Sequence, residues 1–145
     1  MVYNSVFENN ESGSGAAIHS RRGRAKIVNS KFKNNHADNG GAIYNTDGGP
    51  IHSGLGLMSC SEGIILIENS YFENNSAISN GGAVFNNEDG VLIVKKCDFQ
   101  INTAQNGGAI YSIHADFNPY KNRLEISDCS YFNNSPNNLY TDARY

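Results

Sequence analysis

Five stretches of this chain read alike: Val2-Tyr-Asn-Ser-Val-Phe7, Ile27-Val-Asn-Ser-Lys-Phe32, Ile67-Glu-Asn-Ser-Tyr-Phe72, Val94-Lys-Lys-Cys-Asp-Phe99 and Ile126-Ser-Asp-Cys-Ser-Tyr131. In each, an asparagine follows three residues after the aromatic, at Asn10, Asn35, Asn75, Asn102 and Asn134. A small residue often comes two later, at Ser12, Ala37, Ala77 and Ala104. A glycine-rich motif comes next: Gly15-Ala-Ala-Ile18, Gly40-Gly-Ala-Ile43, Gly81-Gly-Ala-Val84 and Gly107-Gly-Ala-Ile110, shortened in the fifth copy to Asn138-Leu139-Tyr140. Such self-similarity constrains the fold more than any local propensity. A unit too short to bury its own apolar face must stack on copies of itself.

The aromatic positions are spaced 25, 40, 27 and 32 residues apart, so the unit is about 25 residues long and carries insertions. From each aromatic to the alanine of the glycine motif the distance is 10, 10, 11 and 10 residues. The variable length falls almost wholly after the glycine motif, in insertions at about 46–63 and 113–123. Constant and variable stretches alternate as in a solenoid whose loops leave one edge, and residues 1–145 read as one domain.

The units read as strands. Short apolar clusters are bounded by Asn and Gly, and no helical period appears. The 22 asparagines and 15 glycines are poor helix formers. The 15 aromatics recur at fixed offsets, which argues against disorder. Ile67 and Phe72 are five residues apart, so a straight strand would put them on opposite faces. A bend at Asn69, and likewise at Asn4, Asn29, Lys96 and Asp128, turns both inward, because Asn tolerates the left-handed backbone. Stacked asparagines can also bond from coil to coil. A second bend is expected at the Asn10/Asn35/Asn75/Asn102/Asn134 position, and the glycine pair then leads into a third strand. Three strands per turn, stacked in register, give an all-β fold: a right-handed parallel β-helix of about five coils spaced about 4.8 Å apart. Its interior stacks aromatic on aromatic and aliphatic on aliphatic.

Charge and hydropathy exclude several classes. The net charge is −3 and the densest cationic cluster is Arg21-Arg22-Gly23-Arg24, which is little for a nucleic-acid binder. The longest aliphatic run, Ile64-Ile65-Leu66-Ile67, is far short of a direct membrane span. Met1-Val2-Tyr3 enters the first repeat without a charged leader or long apolar stretch, so no signal peptide opens the chain.

Candidate chemistry is sparse. The glycine pairs lack the Lys-Ser/Thr and following helix of a phosphate loop, so they serve as turns and close-packing points. No Asp stands at the offset that calcium-binding nonapeptide repeats need. Cys97 and Cys129 replace Ser5, Ser30 and Ser70 of the other units. Stacked coils would make them neighbours within disulfide range, while buried free thiols suit a small interior position. Cys60 lies in the insertion with no nameable partner. Four residues after the Ile/Val of each third strand stand Arg22, Asp47, Glu88 and His114. Asp47 and Glu88 on adjacent coils would form a carboxylate pair of the kind used in glycoside hydrolysis, with Arg22 or His114 assisting. β-helix polysaccharide lyases and hydrolases make this an analogy of fold, and polar residues at loop starts explain the column without catalysis.

A second column, His19, Tyr44, Phe85, Tyr111 and Tyr140, neighbours the inward aliphatic one and is expected to point outward. Tyr44, Phe85 and Tyr111 are therefore candidate ligand-binding residues, able to stack on sugars or dock a protein. Mutual stacking or cover from the insertion would explain them equally. His36 and His52 show no metal-ligand spacing and are expected to be solvated, and nothing calls for a cofactor. Glu8, Lys33, Glu73 and Gln100 read as pairing across strands on a surface. Sequons at Asn10, Asn74 and Asn133 matter only where the host glycosylates.

The paired motifs resemble the Gly-Gly-Ala-Ile and Phe-x-x-Asn tetrapeptides of chlamydial polymorphic membrane proteins, and equally the adhesin-like β-helix repeats of methanogenic archaea. The resemblance implies a parallel β-helix, display at the cell surface, in the outer membrane or after secretion, and adhesion to glycans or proteins of host or neighbouring cells. It also implies a segment of a longer surface protein, since the outer-membrane barrel of chlamydial passengers is absent. The expected function is that of a non-enzymatic adhesin-like repeat segment presenting loops and an aromatic stripe. The alternative is a carbohydrate-active β-helix enzyme. A third reading is a non-functional fragment whose open ends expose strand edges.

Overall fold

A computed structural model describes residues 1–46, 63–87, 90–115 and 124–144, with backbone alone for 114–115 and 143–144. Every element among the described residues is a β-strand. The first turn holds β1 (Val2–Tyr3), β2 (Val6–Glu8), β3 (Glu11–Ser14) and β4 (Ile18–Arg21). The second holds β5 (Arg24–Val28), β6 (Lys31–Lys33), β7 (His36–Asn39) and β8 (Ile43–Thr46). The third holds β9 (Ile64–Glu68), β10 (Tyr71–Glu73), β11 (Ser76–Asn80) and β12 (Val84–Asn87). The fourth holds β13 (Val91–Lys95), β14 (Asp98–Gln100) and β15 (Ile110–Ala115), and the fifth β16 (Leu124–Ser127), β17 (Ser130–Phe132) and β18 (Leu139–Arg144).

Strands pair only with their counterparts one turn away, always in parallel. The sheets run β1-β5-β9-β13-β16, β2-β6-β10-β14-β17, β3-β7-β11 and β4-β8-β12-β15-β18. This is a parallel β-helix with four strands to a full turn, not the three expected. The segment after the Asn10 position is a strand of its own, β3, β7 and β11, which single bridges Ser76–Thr103–Ser135 and Asn80–Asn106 continue. Its signal was faint: one small inward residue per unit, such as Ala37 or Ala77, among polar neighbours. The extra residue of the third unit appears as a register shift between Ala77 and Asn80. Ile78, inside that bulge, is thrust outward and 53 % exposed.

Alternation and left-handed corners together explain the cross-section. In β9, Ile65 and Ile67 point inward between half-buried neighbours. Asn69 (φ 48°) then re-aims the chain so that Ser70 and Phe72 also face the core. The equivalent residues Asn4, Asn29, Lys96 and Asp128 have φ of 48°, 51°, 52° and 55°. The second corner lies one residue earlier than expected, at Asn9, Asn34, Asn74, Ile101 and Asn133 (φ 58°, 53°, 53°, 56° and 53°). The third corner needs glycine twice. Gly81 has φ of +64°, and a Cβ on Gly82 would stand 2.1 Å from the carbonyl oxygen of Gly108 on the next rung.

Because the second corner uses the preceding residue, the asparagines of the Asn10 column point inward. Asn35, Asn75 and Asn102 are fully buried. Their amides bond rung to rung, Asn10→Asn35→Asn75→Asn102→Asn134, at 2.8, 2.9, 3.0 and 2.9 Å from Nδ2 to Oδ1. Each Oδ1 from Asn35 on also accepts a backbone N–H from the previous rung, as Asn75 does from Asn35 at 3.1 Å. Each Nδ2 from Asn35 on donates to the carbonyl of the aromatic one rung back, as Asn75 does to Phe32 at 2.9 Å. Burying an amide costs free energy unless it is bonded, and this geometry bonds it on every side. A shorter ladder joins Asn106, Asn80 and Asn39.

Beside this ladder stand the core aromatics. Phe7, Phe32, Phe72, Phe99 and Tyr131 stack with centroids 5.0, 4.8, 4.8 and 5.4 Å apart and planes within 12°. These distances are the strand spacing itself. Ile27, Ile67 and Val94 form an aliphatic column, as do Ile43, Val84 and Ile110, all of one core cluster.

Candidate functional site

The second aromatic column leaves the main core as alternation requires. The register is His19–Tyr44–Phe85–Tyr111–Tyr140, with successive centroids 4.9, 5.2, 5.2 and 5.0 Å apart. The rings meet edge to face except for the parallel last pair. The expected exposure holds only at the ends. His19 and Tyr140 are exposed and Tyr44 is half-buried, but Phe85 and Tyr111 are each 5 % exposed and form a second apolar cluster with Ile113. Pointing away from one core placed them in another. Tyr44 accepts a bond from Asn87 Nδ2 at 2.8 Å, which fixes its ring. Tyr44 is half-buried and packs against this cluster, in which Phe85 and Tyr111 are enclosed.

The acid–base column is not assembled among the described residues. Asp47 and Glu88 lie outside them, as do Cys60, His52 and the main insertion. Arg22 occupies a left-handed corner (φ 54°) and its N–H bonds the Thr46 carbonyl at 2.9 Å. His114 lies within β15, which runs on to Ala115.

The outer faces carry ladders of opposite charge. Lys26 pairs with Glu68 at 3.0 Å, Lys95 with Glu125 at 2.7 Å, and Lys33 with Glu73 one rung on. Each lysine is held above its ordinary value by the hydrogen bond and charge of its glutamate. This is the cross-strand pairing expected of Lys33 and Glu73. A cleft of about 220 Å³ runs along the first corner of the last three turns, lined by Glu68, Asn69, Lys95, Lys96 and Asp128. It lacks the apolar floor of a ligand pocket. His36, expected in solvent, is half-buried with Nδ1 2.8 Å from Ser76 Oγ. No three His, Cys, Asp or Glu side chains converge among the described residues, and no described helix is long and apolar enough to cross a membrane.

The Chlamydia polymorphic membrane protein (Chlamydia_PMP) repeat matches the chain four times, at residues 4–21, 29–46, 69–87 and 96–113. Each match opens at the left-handed residue of a first corner and ends within a strand of the fourth sheet. The matches cover half of the chain, which therefore belongs to this family of surface-associated, non-enzymatic repeat proteins. No curated protein and no solved structure matches it.

Proposed function

We propose that this chain is an adhesin-like segment that acts at the cell surface as a rigid spacer and binding scaffold, without catalysing a reaction. Its partners are glycans or proteins of host or neighbouring cells. The observation that carries the reading is the contrast between rungs and junctions. Strands of the first two sheets keep register across every rung, while the large changes in repeat length, at about 46–63 and 113–123, fall between a strand of the fourth sheet and the next strand of the first. A core that repeats while one junction varies separates stability from recognition. Tyr44 and the exposed ends of the stripe, His19 and Tyr140, supply flat rings for stacking on sugars.

Binding of the purified chain to a glycan array and to intact host cells tests this. Saturable binding, weakened by Tyr44→Ala and retained in Phe85→Leu, is the expected result. Absence of binding to both would overturn the proposal. Release of new reducing ends from an acidic polysaccharide, lost in Asp47→Ala/Glu88→Ala, would replace it with the hydrolase or lyase reading.

A further inference from the structure

The small residues at the first corner form a column of their own: Ser5, Ser30, Ser70, Cys97 and Cys129. Each bonds the carbonyl two residues back, at 2.8, 3.0, 2.8, 3.2 and 3.3 Å. In the upper rungs the backbone N–H of one member donates to the next member's hydroxyl, Ser5 to Ser30 at 3.3 Å and Ser30 to Ser70 at 3.2 Å. In the last two rungs thiols stand where these hydroxyls stood. Lys95 pairs with Ser127 and Asp98 with Ser130, so Cys97 and Cys129 hold equivalent places at the first corner of neighbouring rungs. Their Cα atoms are separated by the rung spacing of about 4.8 Å, inside the window of about 4.4–6.8 Å for a disulfide. Both thiols lean the same way: each reaches a carbonyl of the rung behind, Ile67 at 3.8 Å and Val94 at 3.7 Å. Both are free.

We propose that Cys97 and Cys129 form an oxidisable dithiol, which a low-molecular-weight disulfide converts into a covalent staple between the last two rungs. The pair divides the work by exposure: Cys129 is half-buried and meets the reagent, while Cys97 is fully buried and follows. Cys129 thiolate attacks one sulfur of the small disulfide; that S–S bond breaks and a thiolate leaves. Cys97 then attacks Cys129 Sγ, its proton passing to the departing thiolate. The mixed disulfide breaks, the Cys97–Cys129 bond forms, and a second small thiol is released. Two electrons and two protons move from the protein to one small disulfide, giving two small thiols.

The surroundings favour this order. The neighbouring Cys97 thiol favours the Cys129 thiolate and lowers it, against burial and the charges of Asp128 and Asp98. The neighbouring Cys129, then burial, holds Cys97 above the ordinary thiol range. The hydroxyl of Tyr131 is buried without a hydrogen-bond partner among the described residues, and burial, then the two thiols, push it up to about 12.

The test uses Cys60→Ser protein, treated while folded with oxidised glutathione and then with an alkylating reagent. The expected product has lost two hydrogens, takes up no alkyl group, and yields a peptide joining Cys97 to Cys129 in a non-reducing digest. Adding Cys97→Ser should stop the reaction at a glutathione adduct on Cys129, and adding Cys129→Ser should leave Cys97 unmodified. Serine already fills this column in three rungs, so these variants keep the fold, which circular dichroism checks. Two alkylatable thiols after treatment, a glutathione adduct that persists when both cysteines are present, or disulfides joining two chains would overturn the proposal.

Discussion

Replacing Asn75 by alanine removes the centre of the buried amide ladder. Four hydrogen bonds go with it: those its Oδ1 accepts from the Asn35 N–H (3.1 Å) and Asn35 Nδ2 (2.9 Å), and those its Nδ2 donates to Asn102 Oδ1 (3.0 Å) and the Phe32 carbonyl (2.9 Å). At about 1 kcal/mol net for each bond, the loss is about 4 kcal/mol. The Asn35 N–H is left buried without a partner, which holds the cost at that level. Asn74 next door is the control. It gives up one side-chain bond, to Asn34 at 2.8 Å, at an exposed position, and it holds a left-handed corner (φ 53°), so Asn74→Ala should cost about 2 kcal/mol, about 1 for the bond and about 1 for the strained backbone. Urea unfolding followed by far-ultraviolet circular dichroism compares the two, with amide exchange showing where rungs open first. Equal midpoints for the two variants would refute the claim that the inward asparagine carries the ladder. Asn75→Asp extends the test through pH. Its carboxylate would still accept from Asn35, but it would face two other acceptors in a buried place, so its folded pKa rises above the unfolded value of about 3.9. The folded state then holds more protons, and stability should fall as pH rises from about 4, by up to about 1.4 kcal/mol per unit, until the folded pKa is passed.

Three further outcomes follow from the same geometry. Phe72→Ala empties a fully buried place between two stacked rings and should cost about 3–5 kcal/mol in urea unfolding, while Tyr3→Ala, at an exposed ring, should change little. Gly82→Ala forces a Cβ to 2.1 Å from a neighbouring carbonyl oxygen and should leave the protein insoluble or cooperatively destabilised, whereas Gly13→Ala, with 3.8 Å to its nearest atom, should express and melt like the parent. Ile101 is a β-branched residue in the left-handed region and is 44 % exposed; Ile101→Asn should raise stability by about 1 kcal/mol, read as a higher urea midpoint.

That last residue shows how the sequence could be read and where it misled. Most units place two asparagines together, as in Asn34-Asn35 and Asn74-Asn75. One turns the corner and the other enters the ladder, and composition alone does not say which. The fourth unit, Ile101-Asn102, holds the answer: the position that keeps Asn is the one whose side chain is bonded on every side, whereas the corner tolerates Ile at a cost in strain. The recurring Phe and Ile were legible because a strand spacing of about 4.8 Å forces like to stack on like. The fourth strand per turn was not, since β7 and β11 bury one small side chain each, Ala37 and Ala77, and β3 buries none. The aromatic stripe was legible in direction but not in burial. Parity says that Phe85 turns from the main core, and says nothing of a second cluster waiting outside it.

The most direct measurement of rung stacking is through-space nuclear magnetic resonance on protein carrying labelled phenylalanine rings. The account requires ring-to-ring cross-peaks from Phe72 to both Phe32 and Phe99, whose centroids each lie 4.8 Å away. Cross-peaks from Phe72 to neither ring, with the chain folded, would contradict it.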